Sequence, residues 1–370
     1  MGKYSTTILS NDEEEQISHG VVIVATGAEE YKPDEYLYKK DERVVTQLEL
    51  EEILKNGING NNDTNDNDND YKNTYESAST GNKKTNLKSK EIKNVVMIQC
   101  VGSREGERDY CSRVCCAQAI KNAILIKENN SNINVAILYR DIRAYGMNEL
   151  NYTIARNKGV QFIRYEAEKK PEVFLDDKMS LKGSVFNQLL GDNILLDADL
   201  IVLGSAIVSN IKENRKLAQY LKVPLNKEGF FLEAHAKLRP VDFATDGVFL
   251  CGLAHGPKNL KESITQGKAA AARAATIISK DYIESEGTIA KVSEARCIAC
   301  GACEAVCAYK AISIQEIKKR NITVKKAVVN AALCKGCGTC SSICRSGAID
   351  IDGFSDRQIA NEIEFLLRRA

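Results

Sequence analysis

A run of four cysteines that occurs twice constrains this chain more than any other feature. Each run has the spacing Cys-x2-Cys-x2-Cys-x3-Cys, and the second copy follows the first at an offset of 37 residues, from 297 to 334. A short apolar tail follows each copy, Ala311–Ile314 in one and Ala348–Ile351 in the other. The eight cysteines are Cys297, Cys300, Cys303, Cys307, Cys334, Cys337, Cys340 and Cys344. The repeat indicates one binding unit that was built twice.

This spacing is typical of two [4Fe–4S] clusters of the bacterial ferredoxin type, in which the fourth cysteine of each run binds the other cluster. We therefore predict the ligand sets Cys297, Cys300, Cys303 and Cys344 for cluster one, and Cys334, Cys337, Cys340 and Cys307 for cluster two. Gly301 and Gly338 are expected to relieve backbone crowding around the clusters. We expect the fourth cysteine of each run to start a helix, and metal binding to stabilise the unit.

Zinc and disulfides are the alternative uses of these cysteines. A zinc site needs four ligands and gains nothing from the third Cys-x2-Cys step. Disulfides are uncommon in chains without a secretory signal, which this sequence is not expected to carry. The proline that usually follows the fourth cysteine is replaced by Ala308 and Arg345, and neither change removes a ligand. The spacing favours iron–sulfur clusters.

The charge balance excludes some classes of partner. The chain of 370 residues has 51 Lys and Arg against 50 Asp and Glu, so no broad field favours nucleic acid or an anionic membrane. No apolar run approaches the ~20 residues that a membrane helix needs. The length suggests two or three domains. With 13 cysteines in a reducing compartment, we predict a soluble, cytoplasmic metalloprotein.

An apolar stretch near the amino terminus, Gly20–Ala28, predicts a buried parallel strand that ends under a ligand or a chain crossover. Its end resembles the second flavin-contact strand of flavoproteins that have two dinucleotide-binding domains, which marks Thr26 and Gly27 as flavin-side residues. A generic core strand is an equal alternative. A Gly-x-Gly-x-x-Gly phosphate loop normally precedes this strand, and the 19 residues before Gly20 contain none.

Residues 56–93 are rich in Asn and Asp and poor in apolar side chains. Such a segment cannot bury enough apolar surface to offset the entropy of ordering, so we predict a disordered surface insertion. Calcium binding is the alternative, but the segment lacks the terminal bidentate Glu of a calcium loop.

A second set of cysteines lies between a predicted strand, Asn94–Cys100, and a predicted helix, Ala117–Lys127. The set comprises Cys100, Cys111, Cys115 and Cys116. A helix amino terminus, together with Arg104 or Arg113, would favour the thiolate form. A third [4Fe–4S] cluster, unconnected thiols and a redox-active pair all fit the spacing, which does not decide between them.

The middle of the chain alternates strands and helices. Strands at 134–140 and 160–165 flank a predicted helix at 147–158, which is typical of a doubly wound parallel sheet. The stretches 185–190, 193–196 and 200–203 predict a short meander with a turn at Gly191-Asp192. The segment Tyr139–Arg143 is either a recognition site for a partner or phosphate or, more simply, a solvated loop.

A strand that ends at Cys251-Gly252 precedes a predicted helix from about Lys261 to Ser279. Such an arrangement directs free N–H groups and a positive helix end towards an anion. Flavoprotein disulfide reductases have Gly-Asp at the equivalent strand end, and that Asp contacts the flavin. Cys251-Gly252 replaces it here, so that contact is lost, and a generic strand–helix unit is the alternative.

Taken together, four motifs resemble the A subunit of heterodisulfide reductase: Cys100–Arg104, Tyr110–Cys116, Tyr139–Gly146 and His255–Lys258. The resemblance covers residues 19 to 352 outside the insertion. It implies a partial thioredoxin-reductase-like FAD/NAD(P)-binding α/β fold followed by a two-[4Fe–4S] bacterial ferredoxin-type α+β domain. We predict the segments 1–55 (flavin-domain remnant), 56–93 (insertion), 94–284 (flavin domain with the second cysteine set), 285–355 (ferredoxin domain) and 356–370 (helix).

By residue, the resemblance assigns Cys100, Cys111, Cys115 and Cys116 to a third cluster, and Gly252, Lys258 and Gln266 to the flavin side. It implies FAD and partners that include other heterodisulfide reductase-type subunits, an electron-donating hydrogenase or dehydrogenase subunit, and soluble ferredoxin. In that family the flavin bifurcates electrons, and partner subunits reduce the disulfide of coenzymes M and B.

The chain departs from the family in one respect, because the phosphate-loop half of the flavin domain is absent. We expect either a fragment or a subunit completed by another polypeptide. Two functions follow: an electron-transferring enzyme subunit without catalytic acid–base residues of its own, or a non-catalytic carrier or adaptor whose degenerate flavin fold is a scaffold.

Overall fold

The structure, a computed structural model, describes residues 4–10, 13–55, 92–280, 282, 287–319, 322–331 and 333–369. The strands are β1 (Tyr4–Ser10), β2 (Glu13–His19), β3 (Val22–Val24), β4 (Glu29–Glu30), β5 (Val44–Thr46), β6 (Asn94–Val101), β7 (Asn134–Tyr139), β8 (Gln161–Arg164), β9 (Glu172–Leu175), β10 (Leu181–Asn187), β11 (Asp192–Asp197), β12 (Leu200–Ser205), β13 (Ile207–Val208), β14 (Val248–Leu250), β15 (Ala290–Val292), β16 (Ile312–Lys319), β17 (Ile322–Val329) and β18 (Ile349–Ile351).

The helices are α1 (Gln47–Lys55), α2 (Cys115–Asn129), α3 (Asn148–Asn157), α4 (Ile211–Leu221), α5 (Leu260–Ile278), α6 (Ala302–Val306), α7 (Thr339–Ser342) and α8 (Asp356–Arg369), with a 3-10 turn at Gly252–Ala254. Of the helices described, none combines the length and apolar character needed to cross a membrane. Most of the Asn/Asp-rich insertion, residues 56–91, lies outside the described residues.

The chain divides into two compact units, each made of separate stretches. The first comprises Met1–Val24, Glu233–Phe249 and Lys268–Ala370, and it contains the cysteine repeat. The second comprises Ala25–Leu232 and Leu250–Gly267, and it contains the second cysteine set. The first is called the dicluster unit and the second the parallel-sheet unit.

A five-stranded sheet in the order β5-β12-β6-β7-β8 forms the centre of the parallel-sheet unit. Every neighbouring pair in it is parallel; Val95 lies opposite Val135, and Ile201 opposite Val96. The apolar runs in these strands are continuous because helices or other strands cover both faces of a parallel sheet. The predicted mixed α/β fold with a parallel sheet is confirmed.

Alternate residues of the central strands enter two different cores. Val95 and Met97 pack with α1 and α2 on one face, where Ile120 is fully buried. Val96 and Ile98 pack on the other face with residues of β10. This two-residue periodicity fixes the register, because a slip by one residue would exchange the two cores.

Two helices begin with reciprocal caps. At α1 the Thr46 amide donates to Glu49 Oε2 at 2.7 Å, and the Glu49 amide donates to Thr46 Oγ1 at 3.4 Å. At α5 the Asn259 amide donates to Glu262 Oε2 at 3.0 Å, and the Glu262 amide donates to Asn259 Oδ1 at 2.9 Å. Each capping box satisfies amides that the first helical turn leaves without partners.

The predicted meander is wrong in its third strand. The antiparallel sheet has the order β11-β10-β9, so its third strand is Glu172–Leu175. Leu200–Ser205 instead lies in the parallel sheet between β5 and β6, where all six residues are buried. A fully apolar run suits a sheet covered on both faces better than a meander with one exposed face.

The strand predicted at Gly20–Ala28 is shorter than expected and is not fully buried. It spans only Val22–Val24, which pairs with β14, while Ile23 is 41% exposed. It lies outside the five-stranded sheet, because pairing with β14 makes a separate two-stranded sheet.

The cysteine repeat lies on two small antiparallel sheets of the dicluster unit. Strand β15 pairs with β18, and β16 pairs with β17 in a hairpin where Ile312 lies opposite Val329. Their core is small, and cysteines form part of it alongside Ile312, Ile349 and Ile351. Both repeated tails therefore become strands that cover the cysteines.

Candidate iron–sulfur centres

The eight repeated cysteines line two separate cavities. One cavity is lined by Cys297, Cys300, Cys303 and Cys344. The other is lined by Cys307, Cys334, Cys337 and Cys340. Each cavity therefore takes three cysteines from one run and the fourth from the other run. This division has the same membership as the two ligand sets expected from the spacing.

Backbone N–H groups donate to cysteine sulfurs in the same way in both copies. The Ala311 amide donates to Cys307 Sγ at 3.2 Å, and the Ala348 amide donates to Cys344 Sγ at 3.2 Å. The Ala290 amide, in the strand that precedes the repeat, donates to Cys334 Sγ at 3.3 Å. N–H···S hydrogen bonds stabilise thiolate charge and are one of the levers that set the potential of an iron–sulfur cluster.

The fourth cysteines do not start helices, contrary to expectation. Cys307 caps the end of α6, and Cys344 lies two residues beyond the end of α7. A helical turn begins after each glycine and takes up most of the Cys-x3-Cys interval, because about 3.6 residues make one turn. The third cysteine lies inside the helix, and the fourth leaves it.

The two loop glycines have a backbone conformation that favours glycine. Gly301 and Gly338 precede α6 and α7 with φ angles of 77° and 80°. A Cβ added at either position would meet no protein atom within 4 Å. Left-handed φ angles are strained for residues with a Cβ.

The second cysteine set lies where the crossover from β6 to β7 through α2 begins. Cys100 is in β6, Cys115 and Cys116 open α2, and Cys111 lies in the connection between them. Cys100, Cys115 and Cys116 are at most 7% exposed, and Cys111 is half-buried. The carboxyl end of a central parallel strand is a common place for a ligand in α/β proteins.

The backbone around this set is strained at three residues that are not glycine. Cys100, Arg104 and Arg113 have φ angles of 64°, 62° and 63°. Such conformations cost of order 1–3 kcal/mol each and concentrate at functional sites. Two hydrogen bonds constrain this region: the Arg113 amide donates to Cys111 Sγ at 3.3 Å, and Cys116 Sγ donates to the Asp141 carbonyl at 3.6 Å.

The thiols of this set differ in acidity. Burial raises the pKa of Cys100 to about 11, although Arg104 acts in the opposite direction. The hydrogen bond between Cys115 and Cys116 raises the pKa of Cys115 and lowers that of Cys116 to about 7. Arg143 also lowers the pKa of Cys116, through its backbone amide and its charge. Cationic side chains thus compensate part of the cost of burying thiolates.

All thirteen cysteines lie in described parts of the chain, and none forms a disulfide. Among the residues that the structure describes, no three Cys, His, Asp or Glu side chains are arranged to hold a single metal ion. The repeated cysteines instead surround cavities.

Three flavin-side candidates come together at the start of α5. Lys258 is 8% exposed, and its Nζ donates to the carbonyls of Gly252 and Gly256, both at 2.7 Å. Gln266 Nε2 lies 2.7 Å from His255 Nδ1. Gly252 has a φ of 68° and open space where a Cβ would lie. The loop is thus a compact polar cradle at a helix amino terminus.

Two polar atoms on α5 are buried without a hydrogen-bond partner in the described part of the chain, Ser263 Oγ and Gln266 Oε1. Positions three apart share one face of a helix. Buried polar atoms are normally satisfied, so an orphaned pair is a place where a bound group can supply partners. Ser263 was not among the residues expected from the sequence, because only its burial distinguishes it.

The other flavin-side candidates, Thr26 and Gly27, follow β3. The Thr26 hydroxyl donates to Asn214 Oδ1 at 3.5 Å, and Gly27 has a φ of 78° with open space around it. Within the Tyr139–Arg143 segment, residues 139–142 line one wall of an open cleft that also includes Tyr152 and Arg164.

A family model described as a 4Fe-4S dicluster domain matches residues 296–358. This match agrees with the predicted ferredoxin-type domain and supports iron–sulfur clusters there.

Curated relatives match most of the chain. It is 38% identical to the A subunit of H(2):CoB-CoM heterodisulfide,ferredoxin reductase of Methanothermobacter thermautotrophicus over 82% of this chain and 44% of that protein. It is 36% identical to the A subunit of ferredoxin:CoB-CoM heterodisulfide reductase of Methanosarcina acetivorans, over 81% of this chain and 39% of that protein. The chain thus spans less than half the length of these relatives.

Solved structures that match include Lactococcus lactis thioredoxin reductase, with a TM-score of 0.42 and 15% identity over 74% of this chain and 71% of that one. An NAD-dependent persulfide reductase from A. fulgidus matches with a TM-score of 0.40 and 15% identity over 76% of this chain and 43% of that one. The relationship that the sequence motifs suggested is confirmed by the curated relatives: over 82% of its length, the chain is a relative of the A subunit of heterodisulfide reductases.

Proposed function

We propose that this chain is an electron-transferring subunit of a heterodisulfide reductase-type oxidoreductase. The observation that carries the proposal is the division of the repeated cysteines into two cavities, each completed by a cysteine from the other run. When bound, [4Fe–4S] clusters supply one-electron transfer, and the protein supplies their ligands, burial and hydrogen bonds. The chain needs no acid–base residue for this role.

The proposed ligands follow the two cavities. Cluster one takes Cys297, Cys300, Cys303 and Cys344, and cluster two takes Cys307, Cys334, Cys337 and Cys340. The backbone amides that donate to their sulfurs stabilise the thiolates. The crossed pattern makes the two halves one folding unit.

A third cluster is proposed at Cys100, Cys111, Cys115 and Cys116. Support comes from their shared place at the end of β6 and the start of α2, from the strained backbone, and from the buried Nη1 of Arg104, which has no hydrogen-bond partner in the described residues. These features fit an anionic group between the strand end and the helix amino terminus.

FAD is proposed at the cradle formed by Gly252, Lys258 and Gln266, with Thr26 and Gly27 as further contacts. Support comes from the orphaned polar atoms of Ser263 and Gln266 and from the positive end of α5. Flavin would supply two-electron and one-electron steps in one site. Lys258 would place a positive charge beside it.

The activity of the whole complex is also part of the proposal. The relatives are named as subunits of CoB-CoM heterodisulfide reductases, so we propose partner subunits that reduce this disulfide, an electron-donating hydrogenase or dehydrogenase subunit, and soluble ferredoxin. Flavin-based bifurcation and the segment boundaries predicted above belong to the same proposal. A reducing, cytoplasmic location fits thirteen cysteines without a disulfide.

Iron and acid-labile sulfide counting after anaerobic purification tests the proposal. We expect about twelve irons per chain, at four per cluster. Cys337→Ser and Cys111→Ser should each lose about four, because they remove ligands from different clusters. Cys251→Ser is the matched control, since Cys251 lines neither cavity, and it should lose none. A zinc content in place of iron would refute the proposal.

A non-catalytic electron carrier is the second candidate. One observation favours it: Lys258 Nζ already donates to two backbone carbonyls, as a purely structural lysine would. Flavin absorbance of the pure chain, with and without partner subunits, separates the two. Bound FAD in either sample supports the enzyme subunit, and iron without flavin in both supports the carrier.

A further inference from the structure

We propose that Arg104 sets the reduction potential of the iron–sulfur cluster at Cys100, Cys111, Cys115 and Cys116, by presenting a fixed, partly buried guanidinium to it. The inference rests on the third cluster proposed above. It adds a residue that is not a ligand and gives that residue a role which can be measured separately from ligand binding.

The main chain of Arg104 is held on both sides. Its amide donates to the Tyr110 carbonyl at 3.1 Å, and its own carbonyl accepts from Arg140 Nη1 at 3.1 Å. Its φ of 62° places it in the left-handed region, where a residue with a Cβ persists only if its surroundings enforce it. The loop after β6 therefore fixes where the side chain begins.

The side chain is also anchored at one edge. Arg104 Nη2 pairs with Asp141 Oδ2 at 2.7 Å, and the side chain is only 20% exposed. The opposite nitrogen, Nη1, is buried and has no hydrogen-bond partner among the described residues. Asp141, which holds this guanidinium, also accepts from Cys116 Sγ through its carbonyl at 3.6 Å, so Arg104 lies beside the cysteine set. Its charge acts to lower the pKa of Cys100. A rigid cation thus keeps one free donor beside the cysteine set.

The neighbouring arginines are engaged or exposed. Arg113 pairs with Glu262 and donates to Tyr145 at 3.2 Å, and its side chain is 42% exposed. Arg143 is 46% exposed and lies 3.9 Å from Asp141. Solvent screens such charges, whereas a mostly buried cation acts through a lower dielectric. Arg104 is therefore the arginine with the strongest expected effect on the cluster.

The sign of that effect follows from charge. Reduction adds one negative charge to a cluster, and a buried cation that donates a hydrogen bond stabilises the more negative state. Loss of Arg104 removes both contributions, so the reduced form becomes less stable and the potential falls. Lysine at this position would keep the charge but lose the planar fork that pairs with Asp141 while presenting a second donor.

The test is an anaerobic redox titration of the full chain, followed by electron paramagnetic resonance. The signal of the third cluster is identified as the one that Cys111→Ser removes. Arg104→Gln is expected to lower its midpoint potential and to leave the signals of clusters one and two unchanged. Arg164→Gln is the matched control: it removes an exposed arginine, 60% accessible, that pairs with Glu166, and it should shift no potential.

The outcomes separate this inference from the function on which it rests. About eight irons in the unaltered chain, with no signal sensitive to Cys111→Ser, would refute the third cluster itself. Twelve irons with an unshifted potential in Arg104→Gln would refute only the role of Arg104. If Arg104→Gln loses four irons, Arg104→Lys is measured instead, and a lowered potential supports the proposal. Loss of those irons in both variants contradicts it, because Arg104 would then be needed for assembly.

Discussion

The repeated cysteines and the second cysteine set are positioned by different means. In the repeat, short helical turns after Gly301 and Gly338 and matching N–H···S bonds recur at a fixed offset. In the second set, a long parallel strand, a strained loop and a fifteen-residue helix bring the cysteines together once. The repeat is a local solution, and the second set depends on the whole sheet.

The difference shows where stability resides. The core around the repeat is small and built partly from the cysteines, so we expect metal binding and folding to be coupled there. The cores on both faces of the parallel sheet consist mainly of aliphatic side chains that are almost fully buried. None of the four cysteines of the second set belongs to these cores, so we expect the scaffold around that set to fold without iron.

Removing iron gives the largest expected effect. Anaerobic chelation should unfold the β16–β17 hairpin and its neighbours, while β6 and β7 stay folded, because only the former rely on metal for their core. Hydrogen exchange followed by mass spectrometry measures both regions in one sample. Equal loss of protection from hydrogen exchange in the two regions, or no loss in the hairpin, would show that the two regions do not differ in their dependence on metal.

A substitution in the core of the parallel-sheet unit should destabilise that unit and leave the dicluster unit with its iron. Ile137 is fully buried in β7, and Ile137→Ala should lower the free energy of unfolding of the parallel-sheet unit by about 2–5 kcal/mol while clusters one and two keep their iron. Ile154→Ala, at a side chain that is 42% exposed on α3, is the control and should change it by less than about 1 kcal/mol. Iron loss from the dicluster unit in Ile137→Ala would show that the units are not independent.

Two glycines of the second cysteine run, Gly336 and Gly338, should tolerate alanine to different degrees. At Gly336 a Cβ would lie 2.5 Å from the Thr288 carbonyl oxygen, and φ is 61°. Gly336→Ala should therefore destabilise the dicluster unit by about 3 kcal/mol, from strain and overlap together. At Gly338 a Cβ would meet no protein atom within 4 Å, so Gly338→Ala has the backbone strain without that overlap and should cost about 1 kcal/mol. Thermal unfolding of the iron-loaded chain measures the stability of both variants. A larger loss of stability in Gly338→Ala than in Gly336→Ala would contradict the close contact between position 336 and the Thr288 carbonyl.

The smallest expected effect concerns the cap of α1. Thr46→Val keeps the shape but removes the hydroxyl that accepts from the Glu49 amide and donates to Glu30 Oε2 at 3.1 Å, so it should cost about 1 kcal/mol in the parallel-sheet unit. Thr153→Val is the control, because that exposed hydroxyl only returns to a carbonyl within its own helix at 3.4 Å. Chemical denaturation measures both, and equal effects would argue against the capping box.

Features that depend on neighbours in sequence could be predicted. The ligand sets expected from the cysteine spacing have the same membership as the two cavities. The apolar run at Asn94–Cys100 predicted a buried strand, and the structure has β6 there. One helix start was accurate for the same reason: the helix expected from about Lys261 begins at Leu260, one residue away. The helices expected to start at Cys307 and Cys344 instead end before these residues.

Features that depend on distant partners could not be predicted. The strand at Leu200–Ser205 was assigned to the wrong sheet, because nothing local says that β5 and β6 are its neighbours. Likewise, the orphaned nitrogen of Arg104 depends on its left-handed φ and on Asp141 from another crossover. The sequence placed an arginine near the cysteines but did not show which of its donors stays free.

The shared cavities also bear on how such a unit could arise. A single 37-residue copy offers three cysteines to one cavity and directs its fourth to the other, so alone it would complete neither. Two identical copies related by a twofold axis would complete both, since an isologous pair exchanges equivalent contacts. An ancestral half-sized peptide could thus have worked only as a homodimer, and fusion of two such genes would have made the pairing permanent.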